Sequence, residues 1–352
     1  MPIVLAPMGG SAGGELAAAV AMAGGIGLVG SGGSTLEVLR KEWAVAIREI
    51  EGTFSPGTYE AYACRKNLGF GININQVEEE FPPGTLAMLV EDLGPGHVYL
   101  SFGDIAPHVV DIRAARGGSE EECAIYSNAG DVAQAVAHAA AGATCVVMQG
   151  SDAGGHTHHR ASVFALVPEA RTALAREGFG DALVVAAGGV ADGRGLAAAL
   201  ALGADACVLG TRLASATEST YEPLQKAALV EAKDGAVSTT LGRFHDALNG
   251  IDEHSSGLPG RCLVTKSTEL EDEWNQMALA GGDCGAIVQR HRDGIASSGG
   301  HGAEWGTTWA GAAVGLVPAV QPAKEILNEV IDGAISALEA ANSCCVVAEE
   351  RS

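Results

Sequence analysis

One local pattern repeats from residue 1 to about residue 212, and this repeat constrains the fold most. A short apolar run leads into a turn rich in Gly or Asp, and an alanine-rich stretch follows. The eight runs that we predict as strands are Ile3–Ala6, Ile26–Val29, Leu68–Ile74, His97–Ser101, Cys123–Ser127, Thr144–Gln149, Leu183–Ala187 and Ala206–Leu209. Strands that alternate with helices pair in parallel, so the sequence predicts a closed (β/α)₈ (TIM) barrel, with a doubly wound open sheet as the alternative.

Helical stretches lie between these runs. The predicted helices include Glu15–Ala23, Thr35–Ile50, Pro107–Ala115, Asp131–Ala141, Val163–Arg176 and Gly195–Leu202. Aromatic residues make up only 5% of the chain, which contains 49 glycines. Small side chains let helices approach a sheet closely, so this composition favours helices packed on a parallel sheet.

The sequence pattern changes after Glu218. Tyr221–Lys233 and Pro318–Leu338 have helical patterns, whereas residues 234–310 are more polar, rich in Gly and Ser, and irregular. We therefore predict a barrel over residues 1–219, an inserted segment over 220–317 and a closing helix within 318–352. The inserted segment is expected to cover the barrel mouth as a lid or substrate wall. A surface subdomain without a role at the site is the alternative.

Charge and cysteine usage restrict partners and compartment. The net charge of −22 argues against nucleic acid and anionic membranes as partners. The eight cysteines form no CxxC pair, so neither a disulfide framework nor a zinc site is expected. We find no signal peptide and no membrane span, and we expect a cytoplasmic protein that acts on a small molecule. The sequence does not determine the oligomeric state, and a homo-oligomer is one of the options.

Glycine turns follow the last two predicted barrel strands. Gly188 and Gly189 follow one strand, and Gly210 and Thr211 follow the next. Loops at these two places hold a phosphate in many barrels, through backbone amides and a helix N-terminus. Asp192 is placed outside this site, as the cap of the next helix. Tight turns without a ligand are the alternative for either loop alone.

Two amide side chains also lie at strand ends. Asn73 and Gln149 donate and accept hydrogen bonds at once, which suits the pyrimidine edge of an isoalloxazine ring. The small backbone around Met8 and Gly9 is suited to packing against the face of such a ring. The ordinary alternatives are that Asn73 forms a turn and that Gln149 hydrogen-bonds to the backbone at the strand end.

His156 is the best catalytic candidate. It ends the segment from Val147 to Arg160, in which a strand runs into a glycine-rich turn. A histidine presented in this way can accept a proton near neutral pH. His158 and His159 follow it, but no carboxylate or cysteine at ligand spacing supports a metal site, so no metal is expected. His301 is a further candidate that would face the site from the inserted segment.

Together these segments resemble the nitronate monooxygenase family. The matching stretches are VLAPMGG from Val4, GELAAAVAMAGGIGLVGSGG from Gly14, GFGININ from Gly69, QGSDAGGHTHH from Gln149, and the run from Val184 to Arg212. The resemblance implies an FMN-bearing barrel that oxidises alkyl nitronates with O₂ to carbonyl compounds and nitrite. It also implies that His156 acts near the substrate α-carbon. The FMN contacts that it implies are Met8, Gly9, Asn73, Gln149, Gly154, Gly188, Gly189, Gly210 and Thr211.

The chain departs from the family pattern at two positions. Tyr126 is expected where many bacterial members carry Gln or Lys beside the flavin. Asp152 stands where Glu is usual. A second function stays open on the same barrel, because related proteins with these glycine signatures reduce quinones or enoyl thioesters with NAD(P)H.

Overall fold

Eight parallel strands form one barrel in the computed structural model, which describes residues 1–31, 35–74, 84–115, 123–158, 160–248, 258–298 and 304–349. Barrel strands 1 to 8, in chain order, are Ile3–Leu5, Gly27–Gly30, Leu68–Asn73, His97–Ser101, Ala124–Ala129, Cys145–Gln149, Leu183–Ala187 and Ala206–Leu209. Each pairs in parallel with its chain neighbour around the barrel, and strand 1 pairs with strand 8. The predicted (β/α)₈ barrel is confirmed, with every strand within two residues of its predicted bounds.

Strands 1 and 2 close the barrel through Ile26, which immediately precedes strand 2. Its N–H donates to the carbonyl of Ile3 at 2.9 Å, and its carbonyl accepts from the N–H of Leu5 at 2.9 Å. This short parallel bridge leaves no open edge between the two strands. All eight carboxyl ends therefore surround one opening.

The barrel interior is filled by alternate residues of the strands. Its buried cluster contains Val4, Leu28, Tyr99, Tyr126, Cys145, Val147, Val185, Ala187 and Val208. Tyr99 and Tyr126 lie nearly parallel, with ring centroids 6.0 Å apart. Strand 3 contributes glycine instead, since a Cβ on Gly71 would lie 2.2 Å from Cβ of Pro7. The missing side chain gives Pro7 room to cross the barrel mouth.

Helices surround the barrel and bury the outward faces of the strands. They are Gly14–Met22, Leu36–Thr53, Tyr59–Lys66, Thr85–Leu93, Ala106–Ala115, Val132–Ala141, Val163–Arg176, Gly193–Ala201 and the short Thr211–Ala214. Several begin at a residue whose side chain caps the helix: Thr35, Thr58, Asp131 and Asp192 each accept a hydrogen bond from a first-turn amide. The six predicted helices are present with small shifts at their ends, and Asp192 is a cap as predicted.

The segment after Glu218 is more regular than its sequence indicates. Its helices are Pro223–Glu231, Gly235–Ser238, Phe244–Leu248, Glu271–Leu279 and Gly285–Ser297, with 3₁₀ turns at Thr268–Leu270 and Val314–Leu316. Strands Thr239–Gly242 and Gly260–Leu263 form an antiparallel sheet with the two-residue strand Gly155–His156. The irregular sequence of 234–310 does not indicate these elements, because four-residue strands and the helix Glu271–Leu279, which has no buried residue, produce no apolar periodicity.

The last helix, Ala323–Glu349, returns to the barrel and packs against the helix Gly193–Ala201. The contact is close at Gly193, where a Cβ would lie 2.3 Å from the carbonyl carbon of Gly333. Arg212, buried to 2% exposure, also reaches this helix and donates to the carboxylate of Glu329 at 2.9 Å. The division into barrel, insertion and closing helix stays a prediction. Among the described residues, no helix has the length and apolarity required to span a bilayer.

We predict that Gly193→Ala destabilises the protein, because its Cβ would meet the backbone of the last helix and not a flexible side chain. Overpacking of this kind costs about 1–3 kcal/mol of unfolding free energy. Gly52→Ala is the matched control, since this helical glycine has no atom within 4 Å of its added Cβ. The control should gain about 0.4–1 kcal/mol in chemical denaturation. Equal stability of the two variants would contradict the packing argument.

Candidate active site

A cavity of about 360 Å³ opens at the carboxyl ends of the barrel strands. The ten residues predicted for catalysis or cofactor binding all border it: Met8, Gly9, Asn73, Gln149, Gly154, His156, Gly188, Gly189, Gly210 and Thr211. Tyr99 forms part of its floor, and Tyr221, Trp309, Gly311 and Ala313 reach it from beyond strand 8. The structure thus brings the predicted residues together, while their binding and catalytic roles stay predictions.

The turn after strand 7 presents backbone donors to this cavity. Gly188 and Gly189 have φ angles of +107° and +73°, a region that residues with a Cβ rarely adopt. Within the described chain, neither amide donates to a protein acceptor. The carboxylate of Asp192 instead accepts from the amides of Arg194 and Gly195, at 2.9 and 3.2 Å. Donors for an anion therefore come from the glycine turn, since the helix N-terminus is already capped.

The loop after strand 8 is held to the end of the inserted segment. The hydroxyl of Thr211 accepts from the N–H of Gly311 at 2.8 Å. A Cβ on Gly154 would lie 2.6 Å from the same Gly311 nitrogen, so the turn after strand 6 can approach this backbone only as glycine. A hydrogen bond also joins the turn after strand 6 to the end of the inserted segment, because the carbonyl of Asp152 accepts from the N–H of Ala312 at 2.9 Å.

A chain of amide hydrogen bonds crosses the cavity wall. The Gln149 side chain donates to the carbonyl of His156 at 3.0 Å and accepts from the amide of Asn128 at 3.3 Å. Asn128 in turn accepts from the N–H of Phe102 at 3.2 Å. Gln149 therefore holds the histidine-bearing turn and retains one N–H and one lone pair for a ligand.

Asn128, not Tyr126, is the strand 5 residue that borders the cavity. Tyr126 is 6% exposed and lies in the barrel interior, stacked on Tyr99. Side chains of a strand alternate, so residues 126 and 128 share a face, and the strand continues two residues beyond the predicted end. The prediction that Tyr126 lies beside the ligand is thus wrong. The strand 5 residue at the cavity is Asn128, two residues further along the strand.

His156 is held by a carboxylate that lies 90 residues further along the chain. Its Nε2 lies 2.9 and 3.0 Å from the two carboxylate oxygens of Asp246, in the helix Phe244–Leu248. The two side chains are 22% and 14% exposed, so solvent screens the pair only partly. Strand pairing of His156 with Gly260 fixes the backbone that presents the ring.

Aromatic side chains surround the ring of His156. Trp309 lies with its centroid 5.5 Å from that of His156, and Phe102 lies at 6.4 Å. Phe102 has a φ of +52°, the only positive value among the non-glycine residues described. The hydroxyl of Tyr221 accepts from the N–H of Trp309 at 3.1 Å and donates to its carbonyl at 3.4 Å. These contacts make the histidine end of the cavity apolar and well defined.

His245 lies directly behind this wall. It is buried to 2% exposure, with Nε2 at 2.7 Å from Sγ of Cys262 and Nδ1 at 2.9 Å from the hydroxyl of Thr307. Its ring packs on Trp309 at a centroid distance of 5.4 Å. Burial, opposed by Asp246 and aided by nearby histidines, lowers the pKa of His245 to about 4. This histidine is therefore neutral and structural at neutral pH.

The sequence did not identify Asp246, Phe102, Tyr221 or Trp309 as site residues. Phe102 was detectable, because it follows a barrel strand end, whereas no local signal marks the other three. His158 lies 5.8 Å from Phe102, between ring centroids, and does not border the cavity. His159 and His301 lie outside the described residues. Among those described, no cluster of three or more His, Cys, Asp or Glu could hold a metal ion.

A barrel with a glycine-lined cavity and a half-buried histidine at its mouth defines an enzyme of the (β/α)₈ class. The family model for nitronate monooxygenase matches residues 89–333. A nitronate monooxygenase of Neurospora crassa is 30% identical over 93% of this chain and 87% of its own. The chain therefore belongs to the nitronate monooxygenase family, and it is an oxidoreductase of that type.

Solved structures agree with this fold. The structure of FabK from Thermotoga maritima is similar with a TM-score of 0.72 and 25% identity, over 97% of this chain and 95% of the other. A nitroalkane oxidase from Streptomyces ansochromogenes has a TM-score of 0.70 and 25% identity, over 97% of both chains. The family and the second structure support oxidation of a nitronate or a nitroalkane.

We predict that His245 makes stability depend on pH. Its folded pKa of about 4 lies below the unfolded value of 6.5, so the unfolded chain binds more protons between these values. The unfolding free energy should therefore fall as pH falls from about 6.5 to 4, by up to about 1.4 kcal/mol per pH unit. His245→Gln should make this slope smaller by the contribution of one histidine in denaturation measured across that range, while the contribution of His97, whose pKa burial also lowers to about 4, remains. Parallel pH dependences of the variant and the unaltered protein would contradict the prediction.

Proposed function

We propose that this protein binds FMN in the barrel cavity and oxidises alkyl nitronates and nitroalkanes with O₂ to carbonyl compounds and nitrite. The observation that carries the proposal is the convergence, on one cavity, of free glycine amides, two amide side chains and His156. Family membership supports the same reaction.

The residues present fit an FMN group. The amides of Gly188 and Gly189 have no protein acceptor in the described chain and would hold the phosphate, together with Gly210 and Thr211. The described residues that border the cavity include no Lys or Arg. Backbone dipoles therefore carry the anion-binding role. Asp152, beside Gly189, would make this end of the site less favourable for a fully ionised phosphate.

The other end of the cavity suits a flavin ring. Met8 and Gly9 would pack against the ring, Gly154 would allow close approach, and Asn73 and Gln149 would meet its polar edge. When bound, FMN supplies the oxidation–reduction chemistry of the reaction. The protein supplies position, exclusion of water by the apolar wall, and a proton acceptor.

His156 is the proposed base. A neutral nitroalkane must lose its α-proton before it can be oxidised, whereas a preformed nitronate has already lost it. The imidazole of His156 takes this proton. Positioned base catalysis contributes about 10²–10⁴-fold to rate. The aromatic rings of Phe102 and Trp309 keep the imidazole from rotating away from the substrate.

We predict that His156→Asn lowers kcat/KM on nitroethane by about 10²–10⁴-fold and lowers it far less on ethylnitronate. Oxygen uptake with each substrate measures the two values. Asn keeps polarity and fits the space of the ring, so a loss confined to the neutral substrate reports the missing base. An equal loss on both substrates would rule out the base assignment.

We also predict that Gly188→Ala weakens cofactor binding by about tenfold or more, because the strain of a positive φ costs about 1–3 kcal/mol. Its Cβ would also lie 2.9 Å from the Ala153 nitrogen. Gly178→Ala is the control, with a similar φ of +86° and no atom within 4 Å of the added Cβ. The flavin-to-protein ratio after gel filtration measures the effect. Equal flavin loss in both variants would contradict the proposed phosphate site.

A visible spectrum of the purified protein tests the function itself. We expect a flavin spectrum that loses intensity when ethylnitronate is added without oxygen and recovers when air is admitted. NADH added without oxygen should act slowly. Rapid bleaching by NADH, with no response to nitronate, would favour a reductase of quinones or enoyl thioesters. A colourless protein that binds no added FMN would overturn the proposal.

A further inference from the structure

The His156–Asp246 pair determines which ring nitrogen of His156 carries a proton. Both oxygens of Asp246 lie near Nε2 alone, at 2.9 and 3.0 Å. An ionised carboxylate can only accept hydrogen bonds. Nε2 must therefore carry a proton, and a neutral His156 has its lone pair on Nδ1. Within the described chain, no hydrogen bond from another group occupies Nδ1.

The surroundings of the pair hold this arrangement in place. The helix Phe244–Leu248 carries Asp246 and packs through Phe244, which is completely buried. On the other side, the strand pairing of Gly155 and His156 with Gly260 and Arg261 holds the ring's own backbone. Both partners are thus fixed by packed elements, and the hydrogen bond requires no rearrangement of either.

We propose that Asp246 is a positioning residue, which fixes the Nε2–H tautomer of His156 so that Nδ1 takes the α-proton of a neutral nitroalkane. This inference rests on the proposed function of the site. In the step, the α-C–H bond breaks and its electron pair moves into the nitro group, which gives the nitronate. The proton goes to Nδ1, and the resulting imidazolium is stabilised by the carboxylate of Asp246.

Charge also favours a neutral substrate at this site. The described residues around the cavity include the carboxylate Asp152 but no Lys or Arg, and Asp246 adds a second negative charge behind His156. Among the described residues that border the cavity, an anionic nitronate meets this charge without a balancing cation. A neutral nitroalkane does not, and its proton converts His156 and Asp246 into an ion pair. The charge distribution therefore supports the nitroalkane part of the proposed function.

Asp246→Asn tests the proposal in the flavin-loaded enzyme. An Asn side chain can donate to Nε2, which moves the imidazole proton to Nδ1 and removes the base. We expect kcat/KM for nitroethane to fall by about 10²-fold or more, and that for ethylnitronate to stay within about threefold. Asp283→Asn is the control, because it removes the same charge from an exposed residue of the inserted segment, where the carboxylate accepts from the N–H of Gly285. It should leave both values unchanged.

A ¹⁵N NMR spectrum of labelled histidine separates this proposal from the proposed function. The His156 signals are assigned by their loss in His156→Asn. We expect the unaltered protein to show Nε2 protonated and Nδ1 unprotonated, and Asp246→Asn to reverse them. The Nδ1–H tautomer in the unaltered protein, or equal loss of activity on both substrates in Asp246→Asn, would overturn the role of Asp246. Absence of nitronate oxidation in the unaltered protein would overturn the proposed function alone, because the tautomer is read without activity.

Discussion

Closure of the barrel between strands 1 and 2 is the constraint on which the site depends. The two hydrogen bonds of Ile26 join the strands, so the carboxyl ends of all eight encircle one opening. Without that closure, the glycine turns after strands 7 and 8 would lie at one end of an open sheet, far from the end of strand 3. With it, Asn73, Gln149 and Gly188 border a single cavity. Local sequence places each residue at a strand end, and closure makes them neighbours.

Most of the barrel was predictable because each element has its own local signal. Strands such as His97–Ser101 and Leu183–Ala187 are short, mostly apolar runs with a glycine or a charged residue within two positions of each end, and the structure gives the same bounds. The ten predicted site residues share a cavity for the same reason, since strand ends are visible in sequence. Tyr126 was misplaced because the end of a strand is less certain than its presence, and a shift of two residues moves a side chain one layer along the barrel.

The parts that escaped prediction depend on contacts between distant segments. Asp246 has an ordinary local sequence, and only the folding of the inserted segment brings it to His156. Trp309 and Tyr221, 88 residues apart, form a mutual hydrogen-bonded pair that no periodicity indicates. The sequence does not indicate the strands Thr239–Gly242 and Gly260–Leu263 of the inserted segment, because they have only four residues each. The strand Gly260–Leu263 nevertheless pairs with His156, the residue that the sequence identified as the best catalytic candidate. The inserted segment therefore completes the site.

The stacked rings of Tyr99 and Tyr126 determine how a ligand can enter and leave the cavity. They plug the barrel beneath the cavity, so a ligand can enter or leave only through the mouth. That mouth is narrowed by Trp309 and Tyr221 of the inserted segment. A molecule seated on the tyrosine floor must therefore arrive before anything that binds above it. The same molecule also dissociates last. A single opening therefore imposes an order of binding and slows the exchange of the molecule bound nearest the tyrosines.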